Sequence, residues 1–174
     1  MKKTVVVYKS MYGSSKKYAL EFARRMRSEV SDVKSIPSDA DIVVFFGGLY
    51  AGVVNGLAEC VKHLPHSAEL VLVTVGLADP AVEENHDEIM KMTDKVITGE
   101  LKNRTRIFHL RGGMDYSTLS AKHKAMMWML VKVLLKTKKE RSEEDQSLID
   151  TYGSCIDFVD FSALSPVEEF VRNF

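Results

Sequence analysis

Residues 4–15, TVVVYKSMYGSS, decide the fold. The first five are a continuous apolar run, which predicts a strand buried on both faces of a parallel sheet. Three serines and Gly13 follow, and Tyr18 and Phe22 then recur at helical spacing. The stretch therefore predicts a strand, a tight loop and a helix in immediate succession, which is the first unit of a strand–helix–strand fold.

Three further apolar runs end in glycines, and helical patterns separate them. These predicted strands are Ile42–Phe46, Leu70–Val75 and Arg106–Leu110, with a weaker edge strand at Asp32–Ile36. The predicted helices between them are Ser14–Val30, Gly56–Leu64 and Pro80–Ile97. Alternating strands and helices predict an α/β fold of one domain over residues 1–174, with a doubly wound five-stranded parallel sheet in the order 2-1-3-4-5.

The charge balance, the cysteines and the apolar runs indicate which partners and which cell compartment to expect. The chain has 24 basic and 24 acidic residues, and this zero net charge gives no field that would attract nucleic acid. Its two cysteines, Cys60 and Cys155, are far apart in the sequence, which favours reduced thiols. Neither a secretory signal nor a membrane-spanning run is apparent, so we expect a cytoplasmic protein.

Ligands of open parallel sheets bind beyond the carboxyl ends of the strands. In this chain that edge would hold residues 10–15, 47–56 and 76–80. The first of these loops offers serine hydroxyls, a glycine turn and the free N–H groups of a helix start, which together suit an anion such as a phosphate. Serine is equally a favoured helix cap, so capping and phosphate binding both remain open for this loop by itself.

Other phosphate sites and metal sites are disfavoured by the motifs. The chain has neither the GxxxxGK[ST] of a P-loop nor the GxGxxG of a dinucleotide site. A receiver of the same topology would need acidic residues after its first strand and an aspartate after its third, and this chain has Tyr8-Lys9-Ser10 and Phe46-Gly47-Gly48 there. The five histidines are scattered without other ligands at metal-binding spacing, so we expect no metal site.

A strand followed by [ST]-x-x-G-x-[ST] and a helix resembles the phosphate loop of flavodoxins, which bind FMN. Residues 39–56, DADIVVFFGGLYAGVVNG, resemble the third strand and second flavin loop of that family. Flavodoxins usually have threonine where this chain has Tyr12 and Ser15. The resemblance implies FMN as cofactor, with binding by Ser10, Met11, Tyr12, Gly13, Ser14, Ser15, Gly48, Leu49, Tyr50, Ala51, Gly52, Gly76, Leu77 and Ala78.

Residues 110–130, LRGGMDYSTLSAKHKAMMWML, resemble the flavodoxin-domain family that includes the menaquinone-dependent protoporphyrinogen oxidase of some bacteria. The resemblance implies an FMN-dependent oxidoreductase, with a quinone or a porphyrinogen as candidate redox partner and no catalytic residue assigned. A small flavodoxin-type electron carrier is the alternative, and an FMN module with a structural or sensing role is a third. The flavin face that the 76–80 loop leaves uncovered would be open to a substrate or covered by Met114–Tyr116.

A basic and apolar helix is predicted over residues 116–140, as an addition to the simple fold. Its segment Ala125–Leu135 is apolar apart from Lys132, and residues 121–141 hold seven cations against Glu140, a net charge of +6. Three interpretations stay open: a core helix, a homodimer or partner interface, and a peripheral contact with the inner face of a membrane. Helices over 142–152 and 166–173 complete the prediction.

Overall fold

The computed structural model of the protein describes residues 2–137, 146, 149–150 and 152–174. Two short 3-10 helices, Gly99–Arg104 and Phe161–Leu164, accompany the main elements. In chain order these are β1 (Thr4–Lys9), α1 (Ser14–Met26), β2 (Glu29–Ser31), β3 (Ile42–Tyr50), β4 (Val53–Val54), α2 (Leu57–His63), β5 (Glu69–Gly76), α3 (Glu83–Asp94), β6 (Thr105–Arg111), β7 (Gly113–Asp115), α4 (Ala121–Thr137), β8 (Cys155–Asp157) and α5 (Ser165–Asn173).

The main sheet has the order β2-β1-β3-β5-β6, and all of these neighbours are parallel. Strand β4 is a two-residue strand that pairs antiparallel with the end of β3. Numbering the five parallel strands alone gives 2-1-3-4-5, so the predicted α/β topology is confirmed. A separate antiparallel pair, β7 with β8, ties the chain after β6 to the C-terminal segment.

Each face of the sheet packs on its own set of helices, because the central strands are apolar on both faces. On one face, α1 and α5 cover Val6, Val44 and Val73. On the other face, α2 and the chain after α3 cover Val5, Val43 and Leu72. Tyr18, Phe22, Leu57 and Leu164 are among the largest fully buried side chains, so helical residues fill the space on both sides.

The edge strand lies earlier in the chain than the sequence indicated. Helix α1 ends at Met26 because Arg27 takes a left-handed conformation (φ 51°), and the Ser28 N–H then donates to the Ala23 carbonyl. The chain reverses there, and Val30 pairs with Val6. The predictions of a helix to Val30 and an edge strand at Asp32–Ile36 were therefore wrong.

The added helix starts later than predicted. Residues 116–120 are not helical, since Asp115 accepts hydrogen bonds from the Ser117 and Thr118 N–H groups and forms a turn. Ser120 then accepts from the His123 N–H, at the start of α4. Of the predicted range 116–140, residues 138–140 lie outside the described residues, as does most of the helix predicted over 142–152.

Helix α4 lies on the surface. Val131 is buried and Met127 is partly buried, whereas Trp128 and Met129 are 49% and 61% exposed. The interpretation of α4 as a core helix is therefore wrong for its described side chains. Within the described part of the chain, no helix combines the length and the apolar character that crossing a bilayer requires.

A histidine pair joins α3 to the sheet. His109 Nδ1 in β6 lies 2.7 Å from Thr74 Oγ1 in β5, and the His86 ring of α3 meets the His109 ring at 5.2 Å between centroids. Burial, and then the charge of His86, lower the pKa of His109 from the usual 6.5 to about 4. The folded protein thus keeps His109 neutral at pH values where the unfolded chain binds a proton.

We therefore expect stability from His109 that is complete above pH 6.5 and is lost as the pH falls towards 4. Thermal melts of wild type, His109→Asn and His66→Asn between pH 7 and pH 5 test this. The melting temperature of His109→Asn should fall less steeply than that of wild type, while exposed His66→Asn should follow wild type. Parallel curves for wild type and His109→Asn would contradict the assignment.

Candidate functional site

A cavity of about 430 Å³ lies at the carboxyl edge of the sheet, where the loops after β1, β3, β5 and β6 meet. We call it the strand-end cavity. Its volume falls in the range of small-molecule sites, and its lining is mostly apolar. Its position is the one that a doubly wound topology assigns to a ligand.

Most of the residues that sequence patterns place at this site do line the cavity. They are Ser10, Met11, Tyr12, Ser14, Ser15, Gly48, Leu49, Tyr50, Ala51, Gly76 and Leu77. Gly13, Gly52 and Ala78 belong to the same loops but are not part of the lining. Three loops that are separate in the sequence therefore converge on one cavity. That their residues bind FMN stays a prediction.

The first loop presents an uncapped helix end. Gly13 is the N-cap of α1 with a left-handed φ of 99°, and no side chain caps this end. The hydroxyl oxygen of Ser10 accepts from the Gly13 N–H at 3.0 Å, which shapes the turn. Because no serine caps the helix, its first N–H groups and positive end remain available to an anion. Of the two interpretations that the sequence left open, capping by a serine is not seen at this helix end.

Ser14 and Ser15 have different surroundings. The Ser14 hydroxyl oxygen accepts from the Gly113 N–H at 2.9 Å and so ties the first loop to the chain after β6. Ser15 is only 3% exposed, and a Cβ on Gly48 would lie 3.4 Å from its hydroxyl oxygen. Ser14 thus has a structural hydrogen bond in addition to its place at the cavity, which sequence patterns did not indicate.

The second loop is a two-residue hairpin turn. Tyr50 pairs with Val53, and the residues between them, Ala51 and Gly52, have φ values of 48° and 77°. Positive φ at both positions is typical of the type I′ turn, which matches the twist of paired strands. A left-handed conformation is strained for alanine, so the hairpin holds Ala51 at the cavity against its own backbone preference.

The third loop is held by the next strand. Arg111 donates from Nε and Nη2 to the Leu77 carbonyl at 3.3 and 3.1 Å, and the Gly112 N–H donates to the Gly76 carbonyl at 2.6 Å. Buried Tyr18 donates to the Arg111 carbonyl at 2.8 Å and accepts from the Asp160 N–H at the same distance. Helix α1, strand β6 and the C-terminal segment are therefore linked behind the cavity.

Helix α4 supplies a wall that the sequence did not assign to the site. Met114, from the turn expected to cover the site, lines the cavity, but Tyr116 does not. The other lining residues that sequence reasoning missed are Asn55, Val75, Gly112, Gly113, Leu119, His123, Met126 and Met127. The last three lie on α4 at the spacing i, i+3 and i+4, which marks one helical face and was the available signal. Leu119 lies in the turn just before the helix.

Two aromatic rings from the loops meet α4. The His123 ring lies edge-on to Tyr12 at 5.4 Å and to Tyr50 at 4.8 Å between centroids. The Tyr50 hydroxyl donates to Met126 Sδ at 3.3 Å. The hydroxyl of Tyr12 and Nδ1 of His123 are buried and have no hydrogen-bond partner among the described residues.

Metal ligands are not grouped in the described part of the chain. No cluster of three or more histidine, cysteine, aspartate or glutamate side chains occurs there. Cys60 lies on the buried face of α2, and this burial raises the pKa of its thiol to about 12. Its thiol is therefore kept protonated and packs as an apolar group.

The parallel strand order, the helices on both faces and the ligand-sized cavity define a doubly wound α/β protein of the flavodoxin type. A family model described as "Flavodoxin domain" matches residues 5–142. The chain belongs to this flavodoxin domain family.

Two of the solved structures that are similar to this chain share little sequence identity with it. One is a flavoprotein in complex with FMN from Lactobacillus acidophilus NCFM, at 13% identity and a TM-score of 0.45, over 64% of this chain and 93% of the other. The second is a proposed flavoprotein from Bacteroides eggerthii DSM 20697, at 8% identity and a TM-score of 0.45, over 74% and 96%. Comparison with curated proteins gave no match.

Proposed function

We propose that this chain is an FMN-binding redox protein. The observation that carries the proposal is the uncapped N-terminus of α1, which lies at one end of a mostly apolar cavity of flavin-binding topology. A phosphate is an anion that such a helix end binds without needing a cation. A flat apolar ring suits the rest of the cavity, and FMN combines the two groups.

Different loop residues would contact the phosphate and the ring of FMN. Ser10, Ser14, Ser15 and the N–H groups that follow Gly13 would hold the phosphate. Tyr50, Ala51 and the third-loop residues would lie against the ring, together with Gly48. When bound, FMN would supply the capacity to accept and release electrons, while the protein positions it and excludes water.

We further propose that the protein is an oxidoreductase with a substrate of its own. A quinone or a porphyrinogen is the candidate, because of the resemblance of residues 110–130 to the family that includes protoporphyrinogen oxidase. A flavodoxin-type electron carrier is the alternative. Carriers dock on charged partners through their own charge, and a net charge of zero disfavours that role here.

Binding of FMN should depend on its phosphate and on the Gly13 turn. We expect purified wild type to bind FMN and to bind riboflavin far more weakly, as measured by quenching of flavin fluorescence. Gly13→Val should weaken FMN binding at least about tenfold, because valine disfavours the left-handed φ of 99° that shapes the loop. The affinity for riboflavin should change little, since riboflavin does not use the phosphate loop.

Gly99→Val is the matched control for this measurement. Gly99 also has a positive φ, of 56°, with open space around its Cα, but it lies before β6 at the other edge of the sheet. This variant should carry a similar strain and keep the FMN affinity of wild type. Equal affinity of wild type for FMN and riboflavin would show that the first loop is not a phosphate site.

Catalytic turnover separates the enzyme from the carrier. We expect the FMN-loaded protein to oxidise protoporphyrinogen over many turnovers under anaerobic conditions when a menaquinone is present. The fluorescence of the product, protoporphyrin, measures the reaction. Gly13→Val without flavin is the control for uncatalysed oxidation. Reoxidation of the reduced protein by a carrier-type protein acceptor alone, without small-molecule turnover, would favour the carrier.

A further inference from the structure

The wall that α4 gives to the strand-end cavity contains a polar side chain with an unmet hydrogen bond. Met126 and Met127 of α4, with Leu119 just before the helix, make this wall apolar, and His123 is its one ionisable member. Nδ1 of His123 is buried and has no partner among the described residues. Since native proteins pair nearly all buried polar atoms, such an atom calls for a ligand or an ordered water.

The tyrosine next to His123 has the same property. Tyr12 Oη is also buried and without a partner in the described chain, and the Tyr12 ring packs edge-on against His123. Both side chains line the cavity, one from the first loop and one from α4. Two neighbouring side chains that line the cavity thus each carry a buried polar atom without a partner among the described residues.

The contacts that join α4 to the loops are weak ones. Among the described side chains they include ring edges between His123 and the two tyrosines, the Tyr50 hydroxyl bond to Met126 Sδ, and the apolar packing of Met127 against the cluster around Met114. A thioether sulfur is a poor acceptor, so little holds this wall in place apart from apolar packing. A ligand that bonds both Tyr12 of the first loop and His123 of α4 would therefore strengthen the contact between these two elements.

We infer that His123 and Tyr12 complete the FMN site, by hydrogen bonding to polar atoms of the bound cofactor, so that α4 closes over it. The inference deepens the proposed function and depends on it. FMN has the required chemistry, since its ring edge carries carbonyl oxygens and nitrogens and its ribityl chain carries hydroxyls. His123 is then a binding residue that no loop motif of the sequence contains.

The test compares His123→Phe with His123→Gln and with the matched control His66→Phe. Phenylalanine keeps a ring against the tyrosines and removes both nitrogens, whereas glutamine keeps hydrogen-bonding capacity. Loss of one hydrogen bond should weaken FMN binding about fivefold in His123→Phe. We expect His123→Gln to stay within about twofold of wild type, and exposed His66→Phe to be unchanged.

Two further measurements keep the test valid if His123→Phe fails to fold. They are FMN binding by Tyr12→Phe and hydrogen exchange of the wild-type protein. Tyr12→Phe should weaken FMN binding by a similar factor, and both phenylalanine variants should shift the visible spectrum of the flavin. In wild type, FMN should slow amide exchange in residues 121–137. Failure of wild type to bind FMN would overturn the proposed function itself. FMN binding with wild-type affinity and spectrum in His123→Phe, or unchanged exchange in α4, would overturn this inference alone.

The outward side of α4 supports a second, independent inference about a partner. Residues 121–137 contain four lysines and no acidic residue, so the rest of the chain has a net charge of −4 against a total of zero. Trp128, Met129 and Leu135 are exposed among these lysines, and Lys132 Nζ lies 3.9 Å from the centre of the Trp128 ring. An exposed helix with apolar and cationic side chains together is typical of surfaces that rest on anionic lipid.

We propose that the outward side of α4 docks on an anionic membrane surface. Pairing with a second copy fits less well, because a twofold interface would place the lysines of one copy against those of the other. A lipid surface instead receives Trp128 and Met129 at its interface while the lysine ammonium groups meet the head groups.

Trp128 is the only tryptophan of the chain, which makes it a direct probe. Its emission should shift to the blue with equimolar phosphatidylcholine–phosphatidylglycerol vesicles, but not with phosphatidylcholine alone, and high salt should reverse the shift. Met129→Ser combined with Lys132→Glu should abolish co-sedimentation, whereas Leu20→Ser, at an exposed apolar residue of α1, should not. Absence of binding to anionic vesicles, or a dimer in ultracentrifugation that the double variant abolishes, would overturn the proposal.

Discussion

The parallel pairing of five strands is the constraint on which the rest of the structure depends. Because all strands run the same way, each ends at the same edge of the sheet. The register pairs Lys9 with Gly47, Gly48 with Val75 and Gly76 with Arg111, so the loops begin side by side. Loops far apart in the sequence are therefore brought to one cavity by the strand pairing, and contacts such as the Ser14–Gly113 hydrogen bond then join them.

At the carboxyl edge of the sheet, the first loop presents backbone N–H groups to an anion, whereas many anion sites use lysine or arginine side chains. The first turn of α1 offers free N–H groups, and nearby Lys17 already pairs with Asp157 at 3.0 Å. The phosphate binding proposed for this loop would depend on its geometry, which Gly13 in a left-handed conformation and the Ser14 bond to Gly113 set. A site built from backbone N–H groups also needs no excess of cations, which agrees with the zero net charge of the chain.

Helix α4 differs on its two sides. Its inner side adds His123 and two methionines to the cavity, and its outer side exposes Trp128 and lysines. The two proposals made for α4 therefore concern different sides of the same helix.

Sequence patterns by themselves determined the strand order, the three loops that meet at the strand-end cavity and most of the lining residues on them. They could do so because apolar runs, glycines and helical spacing are local, and because parallel pairing gathers strand ends in a known way. The edge strand was misplaced, since the left-handed Arg27 that ends α1 has no signal in composition.

Only the tertiary structure decided what α4 packs against. An apolar pattern shows that a helix buries a face, but not which surface it meets, so residues 121–137 fitted core, interface and membrane alike. The same holds for Ser14 and Tyr12: their sequence positions predicted a loop, while their partners, Gly113 and His123, come from about 100 residues further along the chain. Contacts of that separation depend on how whole elements pack, which the residue type does not encode.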